Sequence, residues 1–263
     1  AMLALNVSSD VLDGFTQVHD GLKRSNINVD QRNSAIYRQL QSLAQQNPEK
    51  ARTWLDKASE VRMETRKLYM YVDTLKQLIV RKADGDDGDV DNISNRDDLE
   101  SAAVVMLTPG AHRGRLLRQR IGEYRESVTA LIPDSIQRAN IAHSLATDHV
   151  TRQGTLAPQL WEESRFDHQP VVAAITLLSK LQNDILYAEG EVLSSLLSQV
   201  DAGDLRVNEL NAYVLPSSRL VMRGGTYSAN ILLAAVDTTQ RPKVYIGGVE
   251  LENNHGLYQV TTG

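Results

Sequence analysis

The stretch PVVAAITLLSKLQNDILYAEGEVLSSLLSQVDAGDLRV, residues 170–207, holds two periodicities, and the change between them divides the chain. Val171, Ala174, Leu178, Leu181, Ile185, Ala188, Val192, Leu196 and either Gln199 or Val200 recur every three or four residues, which puts them on one stripe of a helix. Pro170 suits the first turn and Ala202-Gly203 the close. After Asp204 the apolar period falls to two, beginning with Leu205 and Val207. The fold class expected is therefore α+β and multidomain, with a helical bundle over residues 1–203 and a β-sandwich of immunoglobulin-like type over residues 204–263. Val171, Ala174, Leu178, Leu181 and Ile185 are the candidate core or dimer-contact row, and Asp201, Gly203 and Asp204 the candidate interdomain junction.

Working upstream, Val7, Val11, Phe15, Val18, Leu22, Val29, Ile36, Leu40 and Leu43 keep one face of a helix for roughly forty residues, about 60 Å at 1.5 Å per residue. Asn47-Pro48 stops it and starts the next, Asn47 as cap and Pro48 in the first turn. Ala51, Leu55, Ala58, Val61, Thr65, Leu68, Val72, Leu75 and Ile79 face inward on this second helix, which reaches about Lys82 and folds back as an antiparallel hairpin. A short helix from Leu99 to about Leu107 follows, then a longer one carrying Leu117, Ile121, Tyr124, Val128 and Leu131 up to Pro133. Asp134 or Ser135 can cap a further short helix. Residues 147–169 read as irregular, with Trp161 and Phe166 plugging the core and Trp54 partly buried.

Downstream, Tyr213–Leu215, Leu220–Met222, Tyr227–Val236, Val244–Ile246 and Leu257–Val260 are further short β-type runs, separated by turn residues such as Pro216-Ser217, Gly224-Gly225 and Gly247-Gly248. About sixty residues hold five or six strands where a sandwich of this type uses seven, so a truncated sandwich is expected.

Composition excludes several chemistries. With no cysteine, disulfides, thiolate catalysis and Cys-ligated metals are ruled out. A formal net charge of -5 offers no general attraction for nucleic acid or an anionic membrane. The loop from Asp84 to Asp98 has seven aspartates, but no frame in it supplies the calcium-loop pattern, and it reads as a solvated loop. His112, Arg113, Arg115, Arg118, Arg120 and Arg125 form a basic run without the interleaved aromatics that stack bases. Arg113, Arg115, Arg118 and Arg120 are the candidate patch for an acidic protein partner. The six histidines are scattered and read as surface or satisfied side chains. Glu162-Glu163 suits the positive end of a helix better than acid–base chemistry. Nucleophile elbows, phosphate loops and dinucleotide fingerprints are absent, so no enzyme, cofactor or catalytic residue is expected.

Three ordered motifs carry a family resemblance: LALNVSSDVLDGF (residues 3–15), PVVAAITLLSKLQND (170–184), and RGGTYSA (223–229) with QRPKVY (240–245). Together they resemble the GldM/PorM proteins, inner-membrane components of the gliding-motility and type IX secretion machinery of Bacteroidetes. The middle of the chain, residues 45–157, shares only the pattern. The resemblance implies that residues 1–6 end a transmembrane anchor, whereas the residues alone leave that reading open beside an ordinary helix start, which they favour. It implies a periplasmic location, a homodimer, a GldL- or PorL-type motor partner in the inner membrane, and a GldK/GldN- or PorK/PorN-type ring associated with the outer membrane. The function implied is a shaft that transmits force from a proton-driven motor. The competing expectation is a ligand-sensing domain of a membrane-anchored receptor. A sensor should show a polar pocket within the bundle, and a shaft a dry core.

Overall fold

The structure, a computed structural model, describes residues 7–149, 158–202, 209–216, 223–224, 226, 228–236, 245–246 and 249–250. It falls into two compact units, residues 1–200 and 201–263, each described by itself below.

In the first unit, α1 runs Ser9–Gln46 and α2 runs Pro48–Asp84. Ser8 stands in extended backbone before α1, and its hydroxyl accepts from the Val11 amide. Asn47 serves both helices. Its amide donates to the Leu43 carbonyl at 2.8 Å, closing α1, while its Oδ1 accepts from the Lys50 amide at 3.3 Å and caps α2, with Pro48 in the first turn. One asparagine and one proline thus make the hairpin corner, because Asn47 satisfies end groups of both helices and Pro48 has no amide hydrogen to leave unpaired in the first turn. The expected inward row of α2 is buried throughout except for Leu55, which is half-buried.

Four shorter helices follow: α3 (Ser101–Leu107) and α4 (Arg113–Ala130) pack on α2, α5 (Ser135–Ser144) packs on α4, and α6 (Trp161–Phe166) on α3 and α4. Asp134 caps α5 by accepting from the Gln137 amide at 2.7 Å. Helix α6 was not legible as an element; its six residues span under two turns, too few for a periodic signal. Trp161 and Phe166, at its two ends, are both buried and meet edge to face with ring centres 6.1 Å apart. Trp54 is half-buried.

Helix α7 (Val171–Ala202) threads the bundle. It runs parallel to α1, since Phe15, His19, Asn26 and Asn33 meet Thr176, Ser179, Asn183 and Glu189 in rising order, and antiparallel to α2, where Lys76 meets Gln182 and Arg62 meets Glu189. The core lies between α2, α4 and α7, where Leu75, Ile79, Leu117, Ile121, Ile175 and Leu178 are fully enclosed. Helix α1 departs from the expected face. Of the expected row Leu40 is buried and Phe15, Leu22, Val29, Ile36 and Leu43 are half-buried, but Val11 and Val18 are 49% and 54% exposed, and toward the start of the helix the buried line is instead Leu12, His19, Asn26 and Asn33, mostly polar.

The second unit is β-structured. β1 (Glu209–Pro216) pairs antiparallel with β2 (Ala229–Val236) in a register running from Glu209 opposite Val236 to Pro216 opposite Ala229. Pro216 ends its strand, where a missing donor disturbs the ladder least. β3 (Tyr245–Ile246) pairs antiparallel with β4 (Val249–Glu250). The expected runs at 205–207, 220–222 and 257–260 lie outside the described residues. β4 is a strand the sequence reading missed, at two residues too short to alternate visibly. The chain is thus a long-helix bundle followed by an antiparallel β-region of immunoglobulin-like type, and among its described residues no helix is long and apolar enough to cross a membrane.

Candidate functional site

The polar groups of the bundle collect where α1 meets α7. His19, Asn26 and Asn33 are spaced by heptads, so all three point along one line of α1, and all are buried. His19 Nδ1 lies 2.9 Å from Ser179 Oγ. Asn26 Nδ2 donates to the Ser179 carbonyl at 3.2 Å, and one heptad on Asn33 Nδ2 donates to the Leu186 carbonyl at 2.8 Å. Each asparagine uses the second lone pair of a helical carbonyl, so the contact repeats with the helix itself. Asn26 Oδ1 also accepts from Asn183 Nδ2 at 2.9 Å, and Asn33 Nδ2 reaches Glu189 Oε2 at 2.8 Å. A buried polar ladder of this sort sets register more than it adds stability, because sliding one helix would strand every member.

Helix α2 adds a second polar line. Lys76 Nζ donates to Gln182 Oε1 at 3.2 Å, and Gln182 Nε2 donates to Asp73 Oδ1 at 2.8 Å. Tyr124 of α4 donates to the Ile185 carbonyl at 3.1 Å and shares a 2.8 Å bond with Thr65 Oγ1. Burial pushes the Tyr124 phenol well above its ordinary range. It likewise lowers the His19 imidazole and the Lys76 ammonium, and raises the Glu189 carboxyl. In each case taking the charged form out of water is the largest cause.

Between α1, α2 and α7 a cavity of about 420 Å³ opens. Its polar lining is Asn26, Asp30, Arg62, Thr65, Arg66, Tyr69 and Glu189. Glu189 is only 2% exposed, and its Oε1 stands 3.4 Å from Arg62 Nε. The packing beside α1 is therefore not wholly apolar. Nothing in the hydropathy pattern announced this, although Asn26, Asn33 and the Glu189-Gly190 pair within an apolar stripe were the available signals.

The residues singled out in the sequence are distributed as follows. Val171, Ala174, Leu178, Leu181 and Ile185 are all buried in this chain's own core. The four arginines of the basic run part company. Arg118 Nε pairs with the buried carboxylate of Glu162 at 3.0 Å, Arg113 donates to the Val105 carbonyl at 3.3 Å, and Arg120 lies over the Tyr71 ring at 4.0 Å. Arg115 is left exposed to solvent. Of the junction, Asp201 lies in the last turn of α7, while Gly203 and Asp204 lie outside the described residues.

Three local readings change. Glu162 is an ion-pair member in the core, whereas Glu163 takes the helix-start role, accepting from the Leu160 amide at 3.2 Å. His19 is only half satisfied, because its buried Nε2 has no hydrogen-bond partner among the described residues. The acidic loop is exposed yet tied down. Asp84 accepts from the Ser94 and Asn95 amides at 2.8 Å each, and Asp91 pairs with Lys23 at 2.7 Å. The Asp98 and Arg96 carbonyls accept from the Val171 and Val172 amides at 3.0 and 3.2 Å, capping α7. Its aspartate side chains thus hold turns while its backbone carbonyls cap α7, and among the described residues no group of three histidine or carboxylate side chains is placed to hold a metal.

The long helices, the register-setting seam and the β-region that follows form an arrangement suited to holding and positioning. Comparison with known proteins agrees. Residues 10–199 match the GldM N-terminal domain and residues 201–263 the GldM second domain. No curated protein matches the chain. With the two matches covering the helical and the β-region in order, the chain belongs to the GldM family, the membrane-anchored structural component of the gliding-motility and type IX secretion machinery.

Proposed function

We propose that this chain is a periplasmic shaft of the machine, carrying force from a proton-driven motor in the inner membrane to an outer-membrane-associated complex. The observation that carries the reading is α7, a 32-residue helix whose inner row is buried from Val171 to Val200. At 1.5 Å per residue it is a strut of about 48 Å, and an axial load on it is shared with α1, α2 and α4 through close packing. The input partner is a GldL- or PorL-type membrane protein and the output a GldK/GldN- or PorK/PorN-type ring. The shaft acts as a homodimer anchored by a transmembrane helix ahead of residue 7. The half-exposed stripe of Val11, Phe15, Val18 and Leu22 on α1 supports pairing, since it follows the three–four spacing of a coiled-coil seam. Arg113, Arg115, Arg118 and Arg120 form the side that meets an acidic partner, with Arg115 the most available of the four.

The helical domain gives way to the β-domain at residues 203/204, and Asp201, Gly203 and Asp204 are the force-bearing junction. With α7 ending at Ala202 and β1 starting at Glu209, too few residues lie between them for a long flexible tether. Inserting about ten Gly/Ser residues after Gly203 should leave helix content, melting and dimerisation nearly unchanged, because loop lengthening costs little closure entropy. Secretion and gliding in the full-length protein should be lost. Normal transport at normal abundance would overturn the force-bearing reading and leave tethering or sensing.

A ligand-sensing role is the second reading, and one observation favours it: the charged cavity between α1, α2 and α7.

A further inference from the structure

The geometry points to the cavity between α1, α2 and α7 as a binding site for a small zwitterion, a free amino acid or short peptide whose ammonium meets Glu189 and Asp30 and whose carboxylate meets Arg66. It stands independently of the force-transmission reading.

The cavity's volume of about 420 Å³ lies in the range of small-molecule sites. Its charges come in two signs from different helices. Asp30 stands one turn after Asn26 on α1, Arg62 and Arg66 one turn apart on α2, and Glu189 on α7 behind them. They are only partly spent on one another, through the Arg62–Glu189 pair. Arg62 is divided among three partners, with Nε 3.4 Å from Glu189, Nη2 donating to Ser34 Oγ at 3.1 Å, and its guanidinium 4.8 Å from the Tyr37 ring centre. Asp30 and Arg66 enter no ion pair among the described residues.

Glu189 is the decisive group. A carboxylate this deeply buried needs close, charged compensation. It has a 2.8 Å bond from the neutral Asn33 amide and a cation at 3.4 Å, longer than a good charge-assisted hydrogen bond. Burial and the neighbouring Asp30 both raise its carboxyl. A primary ammonium between Glu189 and Asp30 would supply what is missing. A divalent metal would not, because the two guanidinium groups lining the same space repel it. The uncharged wall, Ile27, Met63 and Leu186, suits an apolar side chain.

The test is isothermal titration of the 263-residue chain with L-leucine, Leu-Gly, N-acetyl-L-leucine and L-leucinamide. L-leucine, Leu-Gly or both should bind, and their ranking separates a free amino acid from a short peptide as the source. The N-acetyl and amide analogues each lack one charge and should bind at least about tenfold more weakly. Arg66→Ala, on the exposed side of α2, should leave the melting temperature unchanged and weaken L-leucine by about tenfold or more. Glu189→Gln should abolish the preference for L-leucine over N-acetyl-L-leucine. No binding of either zwitterion at low millimolar concentration would overturn the proposal, as would equal affinity for a singly charged analogue, or unaltered affinity in Arg66→Ala.

Discussion

Gly190 faces Asn33 so closely that a Cβ built on it would lie 2.5 Å from Asn33 Oδ1. The glycine is what lets α1 and α7 approach until the asparagine amide reaches both the Leu186 carbonyl and Glu189. In an ordinary helix Gly→Ala gains about 1 kcal/mol. Here the added methyl displaces a fully buried side chain, so Gly190→Ala should instead destabilise by about 1–3 kcal/mol, read as a lower urea midpoint. Asn33→Ala with Gly190→Ala should cost less than the two single changes summed, since the clash vanishes with the asparagine. Additive costs would show that the seam is looser than its distances.

Tyr124 offers a test of the apolar side of the bundle. Its hydroxyl joins α2 to α7 through Thr65 and the Ile185 carbonyl. Tyr124→Phe keeps the ring packed and removes the hydroxyl, at an expected cost of about 1–2 kcal/mol. Thr65→Val made in that background should add little, because its partner has already gone.

Much of the architecture was legible because it rests on local signals. Asn47-Pro48 and Asp134 announced helix ends by the hydrogen bonds those residue types make, and the α7 row persists for eight turns. The face of α1 was misread for a physical reason. Val11, Phe15, Val18 and Leu22 form the more apolar stripe, but α7 presents Ser179, Asn183 and Glu189 to α1, so the matching heptad row of His19, Asn26 and Asn33 turns inward. Which stripe is buried depends on the facing helix, 160 residues away at His19 and Ser179, and that pairing cannot be read from α1 alone. The fate of Arg118 was hidden in the same way, because its partner Glu162 lies on a helix of only six residues.

The buried seam should also make stability depend on pH. His19 has its imidazole lowered, first by burial and then by the Lys76 ammonium, with Asp20, Asp91 and Lys23 as weaker neighbours. As pH falls, the unfolded chain takes up this proton first, near 6.5, and the folded chain only at lower pH. Its contribution is therefore present above about 6.5 and is lost as pH drops through the folded value. Glu189 acts in the opposite sense. Its raised carboxyl is protonated first in the folded chain, so acidification above its unfolded value of 4.5 relieves a buried charge. Chemical denaturation between neutral pH and about pH 5 should show a smaller acid loss in His19→Gln and a larger one in Glu189→Gln than in the parent. Parallel curves for all three would mean that neither group titrates in the seam.

On α4, substitutions in the basic run should separate stability from partner binding. Glu162 is buried and paired with Arg118 at 3.0 Å, and Gly114 clears the space, since a Cβ there would lie 2.9 Å from Glu162 Cβ. Removing one member of a buried pair strands the other's charge. Arg118→Ala should therefore cost about 3 kcal/mol, and Glu162→Gln less, because Arg118 keeps partial access to water. Arg118→Met combined with Glu162→Leu should recover most of the loss, as apolar replacements of a buried pair often do. Arg115→Ala, on the solvent side, should stay within about 0.5 kcal/mol of the parent. A secretion defect in Arg115→Ala at unchanged melting and abundance would mark the exposed side of α4 as a partner surface. A defect confined to Arg118→Ala, and absent from the double apolar variant, would assign this region to the fold instead.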